Sequence, residues 1–378
     1  MNLKKMLVEM LNRQASDLHI RVGIRPHLRV NGRLEQIATD PFTIDDVENI
    51  VGQLLNEKQL DRFRRKNEMD LALSVAKLGR FRINMYRQRG TTGIAFRAVN
   101  TVVPTFEDLN LPEVVGDLSM ERRGLIVITG TTGSGKSTTL ASMIEHMNSN
   151  RMDNILTIED PIEYIYRDKK CIITQREVGA DTESYSAALR QALRQDPDVI
   201  LIGEIRDLET MSIALTAADT GHLVLTTLHT LNAVETISRI ISFFPPHQHD
   251  QIRLLLAGTL KAIICQRLLA RTDMAGRAPA LEVLVTSAAI RDCIMDKDKT
   301  TDIPDLIEQG RQYGMTTFDQ SIMRLYKSGM ISFEEAIEQC SNPDDFDLRV
   351  KGITGAADRW QDTKKDEQPE SQEDFQKY

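Results

Sequence analysis

Gly130-Thr131-Thr132-Gly133-Ser134-Gly135-Lys136-Ser137-Thr138 fits the pattern G-x-x-x-x-G-K-[ST] at every required position, and its neighbours set it between a strand and a helix. Before it, Leu125-Ile126-Val127-Ile128 is a short apolar run suited to a buried parallel strand. After it, Leu140, Met143, Ile144 and Met147 recur at helical spacing. Strand, glycine loop and helix make a phosphate-binding P-loop. Glycines 130, 133 and 135 let the backbone approach a polyphosphate with its N–H groups turned inward, and the helix start adds a partial positive charge. This reading assigns Lys136 to the β and γ phosphates and the Ser137 hydroxyl to Mg²⁺, so ATP and Mg²⁺ are the expected cofactors.

Three later stretches run from apolar, strand-like residues into polar ones. Ile155-Leu156-Thr157-Ile158 ends in Glu159-Asp160-Pro161-Ile162-Glu163, Val199-Ile200-Leu201-Ile202 ends in Gly203-Glu204-Ile205-Arg206-Asp207, and His222 and His229 enclose Leu223-Val224-Leu225. Open α/β sheets gather ligands at the carboxyl ends of their strands, so these groups are expected to converge on the phosphates held by Gly130 to Thr138. Each has a plain alternative: an acid after a buried strand often caps a helix or sits in a solvated loop, and a lone histidine is more often structural than catalytic. Together with a P-loop they point to nucleotide chemistry. Two histidines seven apart on a strand face opposite sides, so an ideal strand cannot aim both at one ion. Only one of the two is therefore expected to face the nucleotide, and the histidines are expected to sense the γ-phosphate rather than to bind a metal.

The chain has 378 residues, enough for about two domains that each bury a core. A net charge of −8 argues against a nucleic-acid partner, and the cluster Arg62, Arg64, Arg65, Lys66 reads as a solvated helix face. Cysteines 171, 265, 293 and 340 form no C-x-x-C pair and read as reduced thiols. No signal peptide is recognised, and no apolar run approaches the roughly 20 residues that span a bilayer, so a cytoplasmic place is expected.

Residues 1–99 read as a smaller α+β domain. Leu3, Met6, Leu7, Met10 and Leu11 mark an amphipathic helix, and Leu18, Ile20 and Val22 then alternate. Leu28-Arg29-Val30 leads through Asn31-Gly32 into Arg33-Leu34, a hairpin signal, and Thr43 with Asp46 has cap-box spacing ahead of a second helix. Two further strands follow: Phe81, Ile83 and Met85 alternate with Arg80, Arg82 and Asn84, and Arg97 opposes Ile94 and Phe96. A Pro-containing connector, 100–116, leads to an α/β P-loop domain over 117–350, and 351–378 reads as a disordered acidic tail.

Thr157-Ile-Glu-Asp-Pro-Ile-Glu163, the Gly203-Glu204 ending of its strand, and Thr220-Gly-His-Leu-Val-Leu-Thr-Thr-Leu-His-Thr230 resemble the aspartate box, Walker B and histidine box of the type II secretion and type IV pilus ATPases. Ala15-Ser-Asp-Leu-His19 and Gly314-Met-Thr-Thr-Phe-Asp-Gln320 extend the likeness to about Val350. Within that superfamily the chain is most similar to the pilus-retraction ATPases of the PilT and PilU type. The resemblance implies a RecA-like ATPase domain preceded by a PAS-like domain, a homo-hexameric ring, and hydrolysis that powers pilus retraction and twitching motility. It also implies an inner-membrane platform protein and a second retraction ATPase as partners, at the cytoplasmic face of the inner membrane. An assembly or type II secretion motor is the first alternative, although such relatives are longer and usually carry a four-cysteine motif. An accessory ring subunit that depends on a partner ATPase is the second. Ala289-Ile-Arg-Asp-Cys-Ile-Met-Asp296 keeps open that second reading, because only its first three residues match the Ala-Ile-Arg-Asn-Leu-Ile-Arg-Glu segment of PilT-type motors.

By the same resemblance Glu163 is the general base, Glu204 organises Mg²⁺ through its water ligands, His222 stands near the catalytic site and His229 couples the domains. Arg82 and Arg97 resemble the paired N-terminal arginines of the superfamily. A hairpin through Arg87 to Thr92 brings them side by side, where they either pair with acids such as Glu68 or Asp70 or reach the phosphates across a subunit boundary.

Overall fold

The computed structural model describes residues 2–352 apart from 31, 77, 274 and 275. The acidic tail expected from the sequence lies, from 353 on, outside the described residues. The fold is of the expected α/β class: a P-loop sheet preceded by a smaller α+β unit.

The first unit runs α1 (Leu3–Asn12), β1 (Asp17–Arg21), β2 (His27–Val30), β3 (Arg33–Gln36), α2 (Ile44–Leu54), α3 (Glu57–Lys66), β4 (Glu68–Val75), β5 (Gly79–Gln88) and β6 (Thr91–Ala98). Its strands form one antiparallel sheet in the order β3-β2-β1-β6-β5-β4. Alternation decides which face is core. Phe81, Ile83, Met85, Ile94 and Phe96 are buried against Met6, Met10, Val47 and Ile50 of the helices, each such side chain worth roughly 1.5–3 kcal/mol of transfer from water. Arg82 and Arg97 stand directly opposite one another on the other face. The β5–β6 turn is Arg89-Gly90 with φ of 49° and 79°, the double left-handed geometry whose twist matches that of antiparallel strands. Thr43 and Asp46 make the reciprocal cap at the start of α2. Strand β4 was not expected, although Met69, Leu71, Leu73 and Val75 alternate with Glu68, Asp70 and Ser74; it lies at the sheet edge, where Leu71, Leu73 and Val75 are only half-buried.

The second unit contains α4 (Glu113–Ser119), β7 (Gly124–Thr129), α5 (Lys136–Asn150), β8 (Asn154–Glu159), β9 (Ile172–Glu177), α6 (Tyr185–Ala192), β10 (Val199–Ile202), α7 (Leu208–Asp219), β11 (Leu223–Leu228) and α8 (Ala233–Ser242). It continues through α9 (His249–Thr259), β12 (Leu260–Ala270), β13 (Arg277–Val285), α10 (Ala288–Met295), α11 (Ile303–Gln309), α12 (Phe318–Lys327), α13 (Phe333–Gln339) and α14 (Pro343–Val350). The sheet order is β13-β12-β7-β11-β10-β8-β9, parallel except for β13. Strands β7, β10 and β11 are buried at every position, which is why they read as unbroken apolar runs. The end of the expected connector is the first turn of α4. Earlier, Asn100 bridges to Tyr164 and accepts a hydrogen bond from the Ile165 N–H at 2.9 Å, tying the exit from β6 to the loop after β8. Among the described residues no helix is long and apolar enough to cross a membrane.

Candidate functional site

The P-loop leaves β7 at Gly130 and enters α5 at Lys136. Gly130, Gly133 and Gly135 have φ of 140°, 81° and 91°, values that an L side chain strains to adopt. Space forbids one as well: a Cβ on Gly130 would lie 2.3 Å from Gln266 O, and one on Gly135 would lie 2.8 Å from Gln266 Nε2. Thr131, Thr132, Gly133 and Ser137 are exposed. Lys136 is buried, and its Nζ donates to Gly130 O at 2.8 Å and Thr131 O at 2.9 Å. Burial lowers the Lys136 pKa, and the nearby Glu204 carboxylate partly restores it. The Ser134 hydroxyl is buried with no hydrogen-bond partner. A glycine cradle, a buried ammonium resting on loop carbonyls and an orphaned hydroxyl fit a polyphosphate, whose oxygens supply acceptors to both.

The structure brings most of the expected side chains to this end of the sheet. Tyr164, next to Glu163, has its hydroxyl 3.1 Å from Thr138 Oγ1. Glu204 follows β10; its carboxylate contacts Arg206 and lies 3.3 Å from His229 Nε2. His229 follows the carboxyl end of β11, beside Thr129 at the end of β7.

The expectation for the histidines is corrected. His222 precedes β11, its carbonyl accepts from the Gly124 N–H at the start of β7, and its Nδ1 is 3.0 Å from Ala217 O. Six strand residues separate the two histidines, about 20 Å at the rise of an extended chain. His222 is thus at the amino end of the parallel sheet, away from the P-loop, and His229 is the histidine at Glu204.

The arginines pair with acids, though not the ones expected. Arg97 Nε donates to Asp17 Oδ1 at 2.8 Å, rather than pairing with Glu68 or Asp70. Burial pushes the Asp17 carboxyl up, but bonds from Ser16 and Arg97 outweigh it and hold the group below its usual range. Arg82 Nη1 donates to Glu163 Oε1 at 3.1 Å, so within the chain it meets the aspartate-box glutamate. The physical reason is the Asn100–Tyr164 bridge, which pins the arginine-bearing hairpin beside that loop. A second tie, Arg80 Nη2 to Glu177 Oε2 at 3.0 Å, joins the same strand to the end of β9.

Sequence reasoning missed several supporting groups. Gln266 on β12 accepts from Thr139 Oγ1 at 2.8 Å inside the core and packs under two P-loop glycines. Tyr185 explains Gly203: a Cβ there would lie 3.1 Å from the tyrosine hydroxyl and 3.3 Å from Ile158 O. Burial, then the charges of Asp160 and Glu204, push the Tyr185 hydroxyl pKa well up. The Glu159 carboxyl is raised by burial despite hydrogen bonds from Thr157 and Gln175. No motif flags these residues, since each is defined by a partner far away in sequence. Cysteines 171, 265, 293 and 340 are free.

Comparison with known proteins agrees with this geometry. A family described as "Type II/IV secretion system protein" matches residues 1–338. The chain is 41% identical over 351 residues to the type IV pilus ATPase PilU of Pseudomonas aeruginosa, covering 93% of this chain and 92% of that protein. It is equally 41% identical over 346 residues to the type IV pilus retraction ATPase PilT of the same organism, covering 92% of this chain and all of that one, 100%. The crystal structure of a pilus retraction motor PilT with bound ADP matches with a TM-score of 0.84 at 41% identity, over 91% of this chain and 98% of the other. With its P-loop, its strand-end carboxylates and these relatives, the chain belongs to the type II/IV secretion system protein family, as a nucleotide-binding ATPase.

Proposed function

We propose that the protein hydrolyses ATP to power retraction of a type IV pilus, working as a homo-hexameric ring at the cytoplasmic face of the inner membrane. The contact that carries this reading is Arg82–Glu163, which joins the polar face of the first sheet to the phosphate end of the second. Residues 1–99 act as one body and 117–350 as the other, with 100–116 as the linker between them. Lys136 trades its loop carbonyls for phosphate oxygens. Glu163 orients and deprotonates the attacking water, and Arg82, with Arg97, stabilises charge on the transferring phosphoryl group of its own chain's nucleotide. Ser137 and Glu204 would hold Mg²⁺, which would neutralise charge on the phosphates. His229 keeps Glu204 oriented and reads whether the γ-phosphate is present. Each cycle closes the two bodies and opens them again, and this motion passes to a membrane platform protein.

The closeness to PilT and PilU favours retraction over assembly. A clean deletion scored for surface pili and motility tests it: hyperpiliated, non-twitching cells are expected, and bald cells would identify an extension motor. Ala289 to Asp296 in and after α10 favours one second reading, an accessory ring working beside a second retraction ATPase; purified rings with no turnover of their own would select it.

A further inference from the structure

A row of side chains crosses the sheet from the P-loop strand to the helix that follows the histidine box. Thr129 ends β7 immediately before Gly130. Cys265 on β12 lies beside it in register, and Glu282 on β13 lies beside Cys265. Partners in register project from the same face, so all three share one side of the sheet. Thr129 and Cys265 are wholly buried, and the Glu282 carboxyl is raised chiefly by its own burial.

Helix α8 packs over this face, in one core with Leu125, Val127 and Cys265. The N–H of Ala233, the first residue of α8, donates to Glu282 Oε1 at 2.7 Å. Four residues earlier in the chain stands His229. The loop between them is tied to its own helix by Thr230 Oγ1 to Thr236 Oγ1 at 2.7 Å and by the Leu231 N–H to Glu235 Oε2 at 2.9 Å. Those bonds make the loop and helix one rigid piece. The Glu282 bond fixes that piece to the strand row that ends at the P-loop.

We infer that Glu282 is a positioning residue for hydrolysis: by holding the first N–H of α8 it sets the loop of His229, and so the approach of His229 to Glu204. A carboxylate suits the place, because it meets the positive end of the helix and accepts one of the N–H groups that a helix start leaves without an intrahelical partner. Shape leaves room for it, since the Cys265 side chain is small. The inference rests on the reading that His229 and Glu204 serve ATP hydrolysis.

The test uses the full-length ring and two readouts, steady-state ATPase and the affinity for a fluorescent ATP analogue. Glu282→Ala is expected to lower kcat about tenfold, the order set by one lost orienting bond of about 1.4 kcal/mol, with analogue affinity unchanged within about twofold. Glu282→Gln still offers an acceptor oxygen and is expected to recover most of kcat. Ala233→Pro removes the donor while leaving Glu282 in place; proline is well tolerated at the first position of a helix, so the fold survives even if Glu282→Ala does not. It is expected to match the alanine variant in kcat. Adding His229→Ala to either is expected to cost nothing beyond His229→Ala alone. The inference is overturned if Ala233→Pro keeps wild-type kcat while His229→Ala loses it, or if the losses multiply in the double variant. If His229→Ala itself keeps wild-type kcat, the hydrolysis reading of that histidine falls, and this inference with it.

Discussion

In the seven-stranded sheet, β7, β10 and β11 are buried along their whole length and the chemistry leaves from their ends; in the six-stranded sheet, one face of β5 and β6 is core and the chemistry stands on the other. The first arrangement places groups by backbone. Glycines 130, 133 and 135 and the start of α5 follow directly from the end of β7, so backbone lays out the phosphate site. The second places groups by side chains, whose contacts can be exchanged. Arg80 and Arg82, two apart on β5, show both behaviours. Arg80–Glu177 is enclosed, with side chains 19% and 10% exposed, while Arg82–Glu163 is open, at 37% and 47%. An exposed pair is worth only about 0–1 kcal/mol, so Arg82 can trade a carboxylate for a phosphate at little cost, while Arg80 remains an anchor between the domains.

The largest effects should fall on the side laid out by backbone. Lys136→Ala is expected to abolish tight ATP binding, while Glu163→Gln binds ATP normally and loses about 10³ in turnover, within the span of a lost general base. Wild-type turnover in Glu163→Gln would show that the base is elsewhere.

Next come the two arginines of one strand. Arg82→Ala should lower kcat by about 10², the usual loss for one donor to developing charge, and leave the melting temperature unchanged. Arg80→Ala should do the reverse, lowering the melting temperature by several degrees through an unpaired buried Glu177 with a smaller change in kcat. Equal kinetic losses in both would erase the distinction between anchor and exchangeable contact.

The smallest contrast is between the histidines at the two ends of β11. His229→Ala is expected to cost about tenfold in kcat, and His222→Ala, at the far end, less than about twofold. The reverse order would mean that His222 acts at a site that its own chain does not contain.

Much of this was legible in the sequence. The P-loop announces itself because its chemistry needs particular residues at fixed spacing, and Phe81, Ile83 and Met85 alternate because one face of β5 must be dry. The histidines were misassigned although the means to place them were present: the rule that sends ligands to carboxyl strand ends, which located Glu204, also selects His229. Gln266, Tyr185 and Glu282 were invisible for a different reason. Each acts on a segment tens of residues away, Gln266 under Gly130 and Glu282 on Ala233, and only the fold supplies that neighbour. Arg82 stands out in the sequence by its place on the polar face of β5, but its neighbour Glu163 comes from where the connector returns, which the Asn100–Tyr164 bridge fixes.

That last point can be measured directly by mixing two proteins, Arg82→Ala/Arg97→Ala and Lys136→Ala, each expected to be inactive alone, into shared rings. If the arginines serve the nucleotide of their own chain, no subunit in such a ring holds both halves of a site, and ATPase activity stays at the level of the separate variants. Wild-type protein mixed with Lys136→Ala under the same conditions should keep activity, showing that mixed rings can turn over. Recovery of a substantial fraction of wild-type activity in the doubly defective rings would mean that the arginines reach a neighbour, contradicting the contact between Arg82 and Glu163 on which this account is built.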